Sequence, residues 1–263
     1  MQRYKKTLSI ICIALLSFFV MSLGIRSYAA GYNWYIKRNG LGTPTFPENA
    51  NLISEYDCYY IDKRAATSGE KVLYLTFDAG YENGNVEKIV DVLDKYDISA
   101  AFFVLDNLIY KNPNLIKRLA SEGHLVCNHT KNHKDLSAAT VETIQNDLKA
   151  LEDICKSETG VEMAKYFRFP CGRYSPEAIK TVSELGYKTV FWSFAYEDWD
   201  NKKQPSEEYA IKKILNNTHD GAIILLHPTS QTNARIMERL VLAWREMGYS
   251  FGTLDELTSR NAD

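Results

Sequence analysis

The chain has 263 residues, 45% of them hydrophobic, 12% aromatic and 24% charged, the composition and length of a globular protein able to bury a sizeable core. Its formal charge is −2, and once the first thirty residues are set aside (Arg3, Lys5, Lys6 and Arg26, with no acids) 27 basic side chains face 33 acidic ones. That mildly acidic body excludes nucleic acid as the partner, since a phosphate backbone is bound by a basic face.

The N-terminus reads as an export signal. MQRYKK is a short basic region, the 18 residues LSIICIALLSFFVMSLGI are apolar, and Ser27-Tyr28-Ala29 puts small residues where a signal peptidase cuts. Residues 1–30 are therefore expected to be either a signal peptide, cleaved after Ala29 or Ala30, or an uncleaved membrane anchor, because a stretch of this length spans a bilayer. In both cases the rest of the chain works outside the cytoplasm, and membrane contact is expected only through this segment. Residues 31–69 carry Pro44 and Pro47 and little periodicity, and read as an extended arm that wraps or tethers the domain.

From residue 70 short β-rich runs alternate with segments of helical period, the signal of a mostly parallel sheet or barrel. The predicted strands are Val72–Phe77, Ala100–Leu105, His124–Asn128, Tyr166–Phe169, Tyr187–Ser193 and Ala222–His227, with a weaker one at Ser250–Gly252. Between them the pattern predicts helices over Asn85–Tyr96, Pro113–Glu122, Val141–Thr159, Pro176–Leu185, Ser206–Asn216 and Asn233–Met247. Ser175-Pro176 is a helix start, and Gly160 and Gly186 are helix stops. Cys12 lies in the leader; Cys58, Cys127, Cys155 and Cys171 show neither CxxC nor zinc-ribbon spacing. A core of this size needs no staples, so these four are expected to be mostly free and buried.

In parallel α/β barrels, functional residues gather at the C-terminal ends of strands. Asp78, His129, Arg168, Asp198 and His227 all fall at or just after predicted strand ends. In NHTKNH, His129 and His133 are four apart; on a helical turn both imidazoles would share one face and reach one ion. The cofactor so indicated is a divalent metal, zinc first and other transition metals after it. Asp78 is the candidate base, taking a proton from a water that attacks a carbonyl, with Arg168 beside it to keep it ionised. His227 closes the apolar run AIILLH and suits a general acid that protonates a leaving amine, with Asp198 to orient it. Trp199 offers an aromatic platform for a sugar, whereas Trp192 is expected to pack in the core. His124 and His219 flank strand starts and are given no chemistry.

The ordered set TFD, HTKNH, RFPCG, DW and LLH resembles the polysaccharide de-N-acetylases of the NodB-homology type, carbohydrate esterase family 4, over residues 70–258. GYENG, TVFWSFAYEDW and GAIILLHPTS are similar to the branch acting on muramic acid residues of spore-cortex peptidoglycan, whose products lead to muramic δ-lactam. The resemblance implies a distorted (β/α) barrel with about seven regular strands, preceded by the arm and followed by a tail at 259–263. It implies Asp78 as base, His227 as acid, Arg168 and Asp198 as their supports, and His129 and His133 as metal ligands. It further implies Leu226 and Trp199 as walls of an acetyl pocket, and a backbone N–H near Cys171 and Gly172 as oxyanion donor. The implied partner is the glycan strand of peptidoglycan, met by a monomer that is secreted or anchored at the wall, including the forespore intermembrane space.

Three departures stand out. Ala79 replaces the family's metal-binding aspartate, Ala195 replaces another aspartate, and Phe169 and Cys171 differ from the usual third-motif residues. Glu82 is a remote candidate for the missing ligand. An N-acetylglucosamine deacetylase of peptidoglycan or chitin-like chains is the alternative within the enzyme class. A non-catalytic wall-binding protein is the rival class, opposed by the joint retention of Asp78, Arg168, Asp198 and His227.

Overall fold

The structure, a computed structural model, describes residues 31–38, 42–47, 50 and 55–260. The expected leader and the last three residues lie outside this set. Among the described residues, no helix is long and apolar enough to cross a membrane.

In chain order the strands are β1 (Tyr32–Asn33), β2 (Cys58–Tyr59), β3 (Val72–Ala79), β4 (Ala101–Val104), β5 (Leu125–Asn128), β6 (Ala164–Phe167), β7 (Arg173–Tyr174), β8 (Lys188–Val190), β9 (Ala222–Leu226) and β10 (Ser250–Phe251). The helices are α1 (Lys63–Ser68), α2 (Val86–Lys95), α3 (Asp106–Lys111), α4 (Pro113–Ser121), α5 (Val141–Thr159), α6 (Pro176–Glu184), α7 (Glu207–Leu215), α8 (Gln231–Glu246) and α9 (Leu254–Arg260). Eight strands make one sheet in the order β10-β3-β4-β5-β6-β8-β2, with β9 also on β3, and every ladder in it is parallel. The sheet curls until its ends meet. Single bridges, Ile61 to Ala222 and Phe194 to Ile224, join the β2–β8 side to β9. The result is the expected distorted barrel.

Strand alternation fills its two faces. Leu73, Leu75, Phe77, Phe102, Val104, Ile224 and Leu226 face the helices and pack in the largest core cluster. Val72, Tyr74, Phe103, Cys127, Tyr166 and Ile223 form a separate cluster that Leu254 and Leu257 of α9 join. The helices begin and end where local chemistry directs. Thr140 Oγ1 accepts the Thr143 N–H at the start of α5, and Gly160 at φ +75° closes it in the left-handed conformation that glycine adopts most cheaply. Ser175 caps α6 through the Ala178 N–H, with Pro176 in the first turn.

All seven predicted strands and six predicted helices form, with ends moved by a few residues. The arm supplies strands of its own. β1 pairs antiparallel with β7, and β2 adds to the sheet beside β8. Asp62 caps α1, accepts the Tyr74 hydroxyl at 2.7 Å and donates its N–H to the Gly221 carbonyl, so residues 55–69 are built into the barrel wall. β1, β2 and β7 are two residues long and carry no period, which is why the sequence pattern passes over them. Among the described residues all four cysteines are free; Cys127 and Cys155 are buried, Cys58 is intermediate and Cys171 is exposed, against the expectation of burial.

Candidate active site

β3 ends at the rim, and the parity that sends Phe77 and Ala79 into the sheet–helix core turns Thr76 and Asp78 the other way. Arg168 follows β6 and reaches inward, fully buried. Its Nη1 donates to Asp78 Oδ1 at 2.8 Å, Nη2 to Thr76 Oγ1 at 2.9 Å and the Phe191 carbonyl at 3.3 Å, and Nε to the Val190 carbonyl at 2.9 Å. The guanidinium lies 4.1 Å from the Phe103 ring centre. A buried guanidinium persists because nearly every donor is satisfied and a carboxylate matches its charge. Burial pushes the Asp78 carboxyl upward, but the fields of His129, Arg168 and His227 and the Arg168 hydrogen bond outweigh it and hold Asp78 below the ordinary carboxylate value.

His129 and His133 do come together, with ring centres 5.0 Å apart, though not on a helical turn. Thr130 at φ +68° and His133 at φ +61° turn the segment left-handed, which no α-helix allows. The loop is held instead by side chains: Asn128 Oδ1 accepts the Thr130 N–H, Thr130 Oγ1 accepts the Lys134 N–H, and Asp147 accepts the Lys131 N–H. His129 is buried, and its Nδ1 is 2.8 Å from the Arg168 carbonyl. A carbonyl only accepts, so Nδ1 carries the proton and the Nε2 lone pair faces Asp78 Oδ2 at 3.5 Å. Desolvation lowers the ring to about 4 despite the Asp78 charge, which leaves it neutral near pH 7.

On the far side, the Phe77–Leu226 register of β3 and β9 brings His227 next to Asp78 along the rim. Asp198 is buried; its Oδ1 accepts His227 Nδ1–H at 2.7 Å and its Oδ2 accepts the His227 backbone N–H at 2.9 Å. Asn233, at the start of α8, donates to the same Oδ2 at 2.7 Å and to the His227 carbonyl at 3.1 Å. His227 Nε2 is thereby directed away from Asp198. Burial opposes the charged ring, but the charge and hydrogen bond of Asp198 and the charge of Asp78 carry His227 above its ordinary value.

Asp78, His129, His133 and His227 border one cleft of about 780 Å³, with Cys171, Trp192 and Trp199 among its walls. Trp199 meets His227 with ring centres 5.8 Å apart. Four expectations are corrected. Leu226 packs in the sheet–helix core, and its neighbour Leu225 lines the cleft, because successive residues of β9 face opposite ways. Trp192 is a cleft wall rather than a core residue. Gly172 cannot offer its N–H to a substrate, since that N–H donates to the Phe169 carbonyl at 3.0 Å; a Cβ there would come 2.8 Å from the Trp192 ring. Glu82 is not a ligand either: its carboxylate accepts the backbone N–H groups of Gly84, Val86 and Glu87 at the start of α2. His124 and His219 are buried elsewhere, His124 accepting the Ala100 N–H and His219 bonded to Ser193, in keeping with a structural role.

Three contributors carried no sequence signal. Asn233 and Gln204 lie six residues past His227 and Asp198 but belong to no motif; Asn233 holds the Asp198 carboxylate, and Gln204 donates to the carbonyls of Asp198 and Asp200. Trp34 of the arm bonds through its N–H to the Gly172 carbonyl at 2.7 Å and through Nε1 to the Trp192 carbonyl at 2.9 Å, and so ties two cleft walls together.

Among the described residues there is no group of three or more His, Cys, Asp or Glu side chains arranged as a metal cage, and Ala79 is buried in the core where a further aspartate would stand. The donor set nonetheless fits a cation. A neutral His129 presents a lone pair toward a carboxylate oxygen 3.5 Å away, two acceptors that a cation would bridge, with a second imidazole beside them. The Nδ1–H bond to a carbonyl also fixes the ring as metal-binding histidines are fixed.

Residues 65–190 match a family model described as polysaccharide deacetylase. Over 227 residues the chain is 37% identical to the peptidoglycan-N-acetylmuramic acid deacetylase PdaA of Bacillus subtilis, covering 86% of this chain and 85% of that one. A peptidoglycan-N-acetylglucosamine deacetylase of Bacillus cereus is 33% identical over 196 residues, 72% of this chain and 89% of the other. The solved structure of Bacillus subtilis PdaA, a family 4 carbohydrate esterase, matches with a TM-score of 0.82 and 36% identity over 88% of this chain and 98% of that chain.

Proposed function

This chain belongs to the polysaccharide deacetylase family, hydrolases of amide C–N bonds, and on that premise we propose that it is an exported enzyme removing acetyl from muramic acid residues of peptidoglycan. The observation that carries the reading is the pairing of Arg168 with Asp78 and of Asp198 with His227 on two sides of one cleft. A binding protein gains nothing from a carboxylate and an imidazole whose protonation states are both set by buried partners.

In the proposed reaction, Asp78 takes a proton from water as the water oxygen bonds to the acetyl carbon. The carbonyl oxygen gathers negative charge, and the backbone N–H of Cys171, on the cleft wall, is the oxyanion donor. His227 gives its Nε2 proton to the amide nitrogen as the C–N bond breaks, leaving acetate and a free amine. Arg168 keeps Asp78 ionised and fixed, and Asp198 holds His227 in the tautomer that donates. Trp199 stacks on the sugar. His129 and His133 would hold a divalent cation, zinc in the first instance, with water or substrate completing its shell. Such a cation supplies Lewis acidity and lowers the pKa of water.

Support for muramic acid as the target comes from the 37% identical relative, whose name specifies that sugar; the likeness of GYENG, TVFWSFAYEDW and GAIILLHPTS to the spore-cortex branch supports a role before muramic δ-lactam formation. The test is to incubate metal-loaded and chelator-treated protein with defined glycan strands, with and without stem peptides, and to map acetate loss by mass. Loss from muramic acid, abolished by chelation and restored by zinc, is expected. Loss from N-acetylglucosamine instead would move the protein to the activity named for the Bacillus cereus relative. No acetate from any strand at any metal loading would leave only the binding role.

A further inference from the structure

The start of the arm runs antiparallel to the chain that follows Cys171, with Tyr32 opposite Tyr174 and Asn33 opposite Arg173. We propose that Trp34, the next arm residue, is a positioning residue for the reaction. It holds the loop 170–173 and with it the oxyanion-donating N–H of Cys171, an inference that rests on the deacetylase reading above.

Three observations carry it. The first is strain. Cys171 sits at φ +54° and Gly172 follows at φ +63°. The left-handed region is disfavoured for a residue with a Cβ, and such a residue stays there only where its surroundings over-determine it. The second is the source of that constraint. Within the loop, the Gly172 N–H donates to the Phe169 carbonyl at 3.0 Å; from the arm, the Trp34 N–H donates to the Gly172 carbonyl at 2.7 Å. Gly172 is also sandwiched, since a Cβ there would come 2.8 Å from the Trp192 ring and 3.1 Å from the Trp34 Cβ. Trp34 holds the far side of this sandwich as well, because its Nε1 donates to the Trp192 carbonyl at 2.9 Å. The third is the seating of Trp34 itself. It is buried, and its ring stacks on Phe191 with centres 4.7 Å apart and meets Tyr60 at 5.0 Å and Phe46 at 5.9 Å. Phe191 and its neighbour Val190 are the residues whose carbonyls accept from Arg168. One buried indole thus joins the oxyanion loop to the segment that seats the guanidinium behind Asp78, and the base and the oxyanion donor share a frame.

An oxyanion donor acts on the transition state rather than on bound substrate, so a displaced loop lowers kcat and spares KM. The experiment measures acetate release from peptide-free glycan strands by the metal-loaded protein, and amide exchange over residues 169–174 followed by mass. It compares the wild type with Trp34→Ala, Trp34→Phe and Arg38→Met. In Trp34→Ala, kcat should fall about 10–100-fold with KM within about twofold, and the loop amides should exchange about tenfold faster. Trp34→Phe keeps a ring on Phe191 but loses the Nε1 bond, and should lie between Trp34→Ala and the wild type in both readings. It decides alone if Trp34→Ala does not fold. Arg38 also ties the arm to the barrel, through the Asn217 carbonyl at 3.0 Å and the Ser193 carbonyl at 3.4 Å. Among the described residues it makes no hydrogen bond to residues 170–173, so Arg38→Met should keep both kcat and loop exchange. Unchanged kcat or unchanged exchange in the Trp34 variants would overturn the proposal. So would an equal fall in kcat in Arg38→Met, because any loosening of the arm would then do the same. Should the wild type release no acetate, the deacetylase reading fails, and the exchange decides alone whether Trp34 holds the loop.

Discussion

Asp78 and His227 stand side by side at the ends of paired strands, yet they are secured in different ways. The carboxylate is held from beneath by a fully buried guanidinium that also binds Thr76, Val190 and Phe191, so its support belongs to the barrel itself. The imidazole is held from the side by Asp198, which lies on a loop and is steadied by Asn233. On the base side position and stability are the same interaction. On the acid side they are separable, and what the support sets is mainly tautomer and proton affinity.

The largest break in this comparison should come from Arg168→Met. It leaves Asp78 charged and unpaired inside the barrel, a change that costs about 3–5 kcal/mol, read in urea or thermal unfolding, together with loss of acetate release. A variant as stable as the wild type would show that the guanidinium is not what anchors the base. Next comes His227→Ala, expected to lower acetate release by about 10²–10⁴-fold while the melting temperature stays close to that of the wild type. Substantial residual turnover would remove His227 from the acid role.

The pH profile of kcat/KM sharpens the contrast further. His227 must be protonated to donate, and its pKa is raised, so activity should persist above the ordinary imidazole range and fall as pH climbs through the raised value. Asp78 must be ionised, and its pKa is lowered, so activity should fade only as pH drops below the ordinary carboxylate range. Asp198→Asn should move the alkaline limb to lower pH and leave the acid limb where it was; an alkaline limb that stays put belongs to some other group. The smallest effect is that of Asn233→Ala, which removes one of three hydrogen bonds to the Asp198 carboxylate. It should cost about 1 kcal/mol of stability in urea unfolding, with a slight shift of the same limb. A change as large as that of Asp198→Asn would mean that Asn233 does more than steady the carboxylate.

The strands and most helices were legible in the sequence because long alternations of β-rich and helical runs leave few other solutions. Asp78, His129, Arg168, Asp198 and His227 were legible for a related reason: polar residues that close apolar strands must surface at one rim. What the pattern missed lay below its resolution. AIILLH is apolar at every position before His227, so nothing in it tells which of Leu225 and Leu226 faces inward. HTKNH has helical spacing, but its geometry comes from hydrogen bonds to Asn128 and Asp147, and Asp147 is contributed by a different element. Trp34 and Asn233 each make a contact across more than twenty residues of chain, Trp34 to Trp192 and Asn233 to Asp198, where single-residue context carries no information.

The barrel is not uniformly closed, and this bears on how the base and the acid are spaced. β3 and β9 share a ladder of five residue pairs, whereas among the described residues β9 meets the β2–β8 side through isolated bridges and the few hydrogen bonds of Ser193 and Phe194 rather than a continuous ladder. A cylinder with one weak seam is mechanically soft along that line, and its amides there should exchange with solvent sooner than those of β3. The proposed base and acid both ride on the stiff side of the seam. The spacing over which the two proton transfers must be matched is therefore set by the β3–β9 ladder and not by the closure of the barrel.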